Sequence, residues 1–85
     1  MPEISRFLGV VIRMYYRDHA PPHFHAAYGE FEITVEIETG AISGRFPRRA
    51  QAAVLEWNEL HRDELLADWD RAREERPLER IEPLE

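Results

Sequence analysis

Eighty-five residues suffice for one domain with a small core, and the 44% apolar share excludes wholesale disorder. The chain has no cysteine, which removes disulfides, thiolate nucleophiles and cysteine-ligated zinc, and its longest candidate apolar run, Leu8 to Ile12, is far too short to cross a bilayer. Net charge is −6 and concentrates in residues 51–85, where eleven acids face five arginines; non-specific duplex binding is disfavoured, and only the first half retains room for a local anion site.

The N-terminus lacks the basic and apolar regions of a secretory signal, so a cytoplasmic location is expected. All eleven basic residues are arginine. Genome composition accounts for such a bias, and so does a need for bidentate anion contacts.

In chain order, residues 7–16 read as a strand with Leu8, Val10, Ile12, Met14 and Tyr16 inward and Arg13 and Tyr15 outward. Residues 17–22 form a stiff loop, because Pro21 and Pro22 cannot join a ladder. Residues 23–28 alternate again, with Phe24, Ala26 and Tyr28 on one side and His23, His25 and Ala27 on the other. Residues 31–37 set Phe31, Ile33, Val35 and Ile37 against a polar face. Residues 41–46 put Ile42, Gly44 and Phe46 inward and Ser43 and Arg45 outward. After Pro47 the period becomes helical: Ala50, Ala53, Val54, Trp57 and Leu60 form one stripe, and Leu65, Trp69 and Ala72 form a second that drifts from it. A break near residues 60–63 and two helices, about 47–60 and 62–75, are expected, with one bent helix as the alternative. Pro77 ends the helical part, leaving an extended tail whose apolar residues dock on the body or on a partner.

The expected fold is therefore α+β: a four-stranded antiparallel β-meander followed by two C-terminal helices packed on one sheet face. A single domain covers residues 1–76, and residues 77–85 are the tail.

Turns set the register. A tight turn at Tyr28-Gly29 pairs Phe24 with Ile33, Ala26 with Phe31, His25 with Glu32 and His23 with Thr34. A turn at Thr39-Gly40 pairs Ile37 with Ile42 and Thr34 with Arg45. In the first hairpin, Tyr15 meets His23 and Arg13 meets His25. The open face then carries Arg13, Tyr15, His23, His25, Glu32, Thr34, Glu36 and Arg45, directly opposed residues lying about 4.5–5.5 Å apart at Cβ.

The segment Asp18-His19-Ala20-Pro21-Pro22-His23-Phe24-His25-Ala26 places three of the four histidines within seven residues. Imidazole titrates nearest physiological pH and is the commonest metal ligand. Three uses compete. In the first, His23 and His25 act as base and acid in metal-independent phosphodiester cleavage through a 2′-hydroxyl. Glu32 would orient His25, Arg13 or Arg45 would hold the phosphate, and His19 and Tyr15 would help bind substrate. In the second, His19, His23 and His25, or Glu32 in place of His19, hold zinc or another divalent transition metal. In the third, the histidines are exposed strand residues and the prolines merely shape a turn.

On Met1-Pro2-Glu3-Ile4-Ser5-Arg6-Phe7, the histidine segment, Tyr28-Gly29-Glu30, Glu56-Trp57, Leu60-His61-Arg62, Glu64-Leu65-Leu66, Trp69 and Ile81-Glu82-Pro83-Leu84, the chain resembles a known family. It is similar, nearly end to end, to small bacterial domains of unknown function that share a D-H-x-P-P-H-F-H-A motif. The resemblance carries no established activity. It implies a gene pair with a second small protein, in a toxin–antitoxin-like or regulatory layout, so the neighbouring gene product is an expected partner. RNA is a candidate substrate, duplex DNA and membrane are not, and a non-catalytic protein-binding or regulatory module is the alternative.

Overall fold

A computed structural model describes residues 2–85 of the chain. It contains five strands and two helices: β1 (Glu3–Phe7), β2 (Val10–Arg13), β3 (His23–Tyr28), β4 (Phe31–Glu36), β5 (Ile42–Arg45), α1 (Arg48–Leu60) and α2 (Arg62–Arg73). The strands form one antiparallel sheet in sequence order, so the α+β class and the meander stand while the strand number is five rather than four. The extra strand is β1, formed by residues 3–6, for which no strand was expected, together with Phe7; the segment expected to run unbroken over residues 7–16 turns at Leu8-Gly9 and contributes β2. Leu8 and Gly9 both have positive φ, 51° and 81°, and Phe7 pairs with Val10 across them. Two consecutive positive φ values give the tight hairpin whose twist matches that of its strands. The reversal turns Leu8 out into solvent, where it is 66% exposed rather than inward.

The faces otherwise follow the alternation. Val10, Ile12, Phe24, Ala26, Ile33 and Val35 are buried beneath Val54 and Trp57 of α1 and Leu65, Trp69 and Ala72 of α2. Trp57 is the centre of this layer. Its ring lies 5.3 Å from that of Phe7 and 5.6 Å, edge-on, from that of Phe24. Aromatic pairs in this range add about 0.5–1.5 kcal/mol each beyond the area they bury. The apolar residues expected inward at the ends of the strands are not covered: Tyr16, Tyr28 and Phe31 stay exposed, and so does Leu60 at the end of α1.

The helical segment breaks at His61, whose φ of −121° interrupts both helices. The register differs from expectation in both later hairpins. The β3–β4 loop is Gly29-Glu30, not Tyr28-Gly29, and the β4–β5 connection is the four residues 37–40, closed by hydrogen bonds between Glu36 and Ala41 and between Gly40 and Glu36. Each change moves the pairing by two residues, which preserves the faces and replaces every partner. His23 therefore lies opposite Glu36 and His25 opposite Thr34, while Arg45 lies opposite Glu32. Only the β2–β3 register holds as expected, with Arg13 opposite His25.

Residues 77–84 dock on the body. The Ile81 amide donates to the Ile4 carbonyl along the outer edge of β1, and Ile81 itself is buried. The Trp57 indole N–H donates to the Glu82 carbonyl at 2.8 Å, and buried Asp68 accepts the Glu79 amide at 2.9 Å. An open sheet edge invites pairing with another chain, and the tail closes this one. Among the described residues, no helix is long and apolar enough to cross a membrane.

Candidate functional site

Loop 14–22 runs from β2 to β3 and turns back over the start of β3. Its Asp18 meets the two histidines that alternation sends to the open face. Asp18 Oδ1 accepts the His19 amide at 2.9 Å, and Asp18 Oδ2 stands 2.9 Å from His23 Nε2 and 3.4 Å from His25 Nε2. Burial alone would push the Asp18 carboxyl up. The His19 amide and the His25 and His23 imidazoles outweigh it and hold the carboxyl below its ordinary value.

The second nitrogens of both imidazoles are also committed to the protein. His23 Nδ1 lies 2.8 Å from the Pro21 carbonyl oxygen. A carbonyl can only accept, so Nδ1 carries a proton; the Nε2 contact with the Asp18 carboxylate is a hydrogen bond when Nε2 carries one as well, and once that proton is gone the Nε2 lone pair is what points towards Asp18. His25 Nδ1 is enclosed, forms no hydrogen bond and faces Glu32 Oε2 at 3.5 Å. The Tyr15 ring closes over His25 edge-on at 4.3 Å, and the Trp69 ring lies 5.2 Å from that of His23. The His23 and His25 side chains are only 11% and 19% exposed. They are recessed and clamped, unlike the free pair the strand pattern suggested.

Asp18, His23 and His25 each offer one ligand atom, all within 4.8 Å of one another. Donors about 2.0–2.1 Å from one metal ion stand roughly 3–3.5 Å apart, and the two Asp18–histidine distances are close to that spacing. The Pro21 carbonyl on His23 Nδ1 is the kind of outer partner that fixes the tautomer of a ligating histidine.

These three groups sit in the wall of a cleft of about 310 Å³ on the open side of the sheet. Its other polar lining comes from His19, Thr34, Glu36 and Ser43. No arginine lines it.

The site residues expected from sequence thus divide. The structure unites His23, His25 and, at the rim, His19, whose side chain is 90% exposed and 3.2 Å from Asp18 through Nδ1. Tyr15 packs on His25 instead of facing the cleft, and Glu32 reaches His25 diagonally from its enclosed side. Arg13, on β2, and Arg45, on β5, lie outside the cleft, so neither arginine expected to hold a phosphate lines it. In the expected metal set His19, His23 and His25, Asp18 takes the place of His19. Asp18 heads the histidine segment, and its position five residues before His23 across two prolines was the signal available for it. Glu36, expected on the open face but not opposite a histidine, is moved beside His23 by the register.

No curated protein and no solved structure matches the chain. A family model described as a domain of unknown function, DUF4160, matches residues 9–70, a span holding Asp18, His19, His23, His25 and Glu36. The chain therefore belongs to the DUF4160 family of domains of unknown function.

Proposed function

We propose that this is a metal-binding domain whose Asp18 Oδ2, His23 Nε2 and His25 Nε2 hold one divalent transition metal, zinc being the natural candidate for a nitrogen and carboxylate donor set. The carrying observation is the convergence of one donor atom from each of the three side chains, with His23 Nδ1 engaged by the Pro21 carbonyl so that Nε2 is the nitrogen turned towards Asp18. The metal-independent ribonuclease alternative has less support. Proton transfer needs a ring nitrogen presented to substrate, and both nitrogens of His23 and of His25 face protein groups. A phosphodiester also needs cations, and the cleft offers Asp18 and Glu36 without an arginine. A cytoplasmic setting and a toxin–antitoxin-like or regulatory gene pair, with the neighbouring gene product as partner, accompany the proposal on the family resemblance.

Calorimetry on protein purified without a nickel column and stripped with chelator tests it. Zinc or cobalt(II) should bind at one equivalent, and Asp18→Ala, His23→Ala and His25→Ala should each weaken binding at least as much as the roughly 10–100-fold cost of losing an outer-sphere partner. Absence of binding to wild type at high micromolar zinc, or wild-type affinity in all three variants, refutes it.

A further inference from the structure

The three donors leave a metal ion with coordination to spare, and its open side faces the cleft. Structural zinc sites close with four protein ligands, whereas catalytic sites keep a position for water. The cleft, at about 310 Å³, is also far larger than a single water requires and lies at the lower end of small-molecule sites. Glu36 is placed to act on a water there. It is the β4 partner of His23, which sets their Cβ atoms about 4.5–5.5 Å apart. It lies outside the cluster of mutually close ligand atoms. Its Oε1 accepts the Thr39 hydroxyl at 3.2 Å, which pins the carboxylate at the turn and leaves Oε2 for another partner.

Building on the metal site proposed above, we infer that the domain is a metal-dependent hydrolase of small uncharged esters or amides, with Glu36 as the catalytic residue that takes the proton from the metal-bound water. With Asp18 committed to the metal, the cleft offers no arginine to hold a phosphodiester or carboxylate and keeps the negative charge of Glu36, while Thr34 and Ser43 supply hydroxyls for an uncharged polar ligand. In the reaction, the oxygen of the bound water forms a bond to the acyl carbon as its proton passes to the Glu36 carboxylate. The tetrahedral adduct then breaks its bond to the leaving oxygen or nitrogen, which receives that proton from Glu36. One water is consumed, acid and alcohol or amine are released, and nothing is oxidised or reduced.

The test uses the full chain loaded with one equivalent of zinc, with 4-nitrophenyl acetate and 4-nitroacetanilide as probes. Chelator-stripped protein, which keeps every imidazole, and free zinc at equal concentration are the controls. Turnover above both controls is expected with at least one probe. Glu36→Gln should lower kcat about 100-fold or more, with zinc affinity in calorimetry unchanged, and Glu38→Gln, on the exposed turn, should match wild type. Loaded wild type that fails to exceed both stripped protein and free zinc on either probe, or Glu36→Gln at the wild-type rate, overturns the hydrolase and leaves the metal site standing. Failure of zinc to bind in the same calorimetry overturns both, and is seen before any substrate is added.

Discussion

Replacing Asp18 by alanine tests whether the carboxylate organises the loop even without metal. The substitution removes the 2.9 Å contact to His23 Nε2, the 2.9 Å bond from the His19 amide and the long 3.4 Å contact to His25. A hydrogen bond to a charged group contributes about 1.5–3 kcal/mol. The His23 contact is recessed and should count at the lower end of that range. The His19 bond is exposed and adds little, and the 3.4 Å contact is too long to add much. Relief of the partly buried carboxylate offsets part of the loss, so the net cost is about 1.5 kcal/mol. In a domain of this size that lowers Tm by roughly 6–12 °C. Circular dichroism melts in chelator at pH 7 measure it. The pH dependence gives a second check. The Asp18 carboxyl titrates below its ordinary value in the fold. Its contribution is therefore complete above the unfolded value, about 3.9, and is lost as pH falls through the lower folded value. The gap between wild type and Asp18→Ala should be full at pH 6–7 and close on acidification towards pH 2. A variant melting within about 2 °C of wild type at pH 7, or a gap that widens in acid, refutes the reasoning.

Gly44→Ala should cost about 2 kcal/mol or more by denaturant titration, since φ there is +105° and an added Cβ would meet the Glu32 carbonyl oxygen at 2.7 Å; unchanged stability would show that β5 is not paired as described. The Glu3 carboxyl, held at about 2 chiefly by its hydrogen bond from Arg6 and further by Arg80, should titrate near that value by carbon NMR. Arg80→Ala should raise that midpoint part-way towards 4.5, and the stability Glu3 contributes should persist until pH falls from that ordinary value towards 2. Trp57→Phe removes the donor to the Glu82 carbonyl, so hydrogen exchange should show the Ile81 amide losing protection before the amides of β3 do.

How far the sequence could be read depended on which physical signal carried each feature. Period-two alternation placed Phe24, Ala26, Ile33 and Val35 in the core and His23 and His25 on the opposite face, because a pleated strand allows no other division. The phase drift between the Val54–Trp57 and Leu65–Trp69 stripes located the break that the structure puts at His61. Register was less legible. A glycine marks a turn without stating whether it is its first or second residue, and that ambiguity at Gly29 accounts for the two-residue shift that brought Glu36 and not Thr34 beside His23. At the first hairpin the turn is hidden because Leu8, an apolar β-branch-free residue in an apolar run, takes a positive φ that leucine rarely adopts. The place of Asp18 was not readable from periodicity, because a loop containing two prolines has none. Its return over β3 is fixed by tertiary contacts, among them the Arg17 amide donating to the Ala72 carbonyl of α2 and the Asp18–His23 contact itself.

The most direct measurement is nitrogen-15 NMR of the four imidazoles during zinc titration. The Nε2 resonances of His23 and His25 should shift together and saturate at one equivalent, His23 Nδ1 should remain protonated against the Pro21 carbonyl, and the rings of His19 and His61 should show no direct coordination. Zinc that moves His61 first, that enters through His23 Nδ1, or that leaves His23 and His25 untouched would contradict the account.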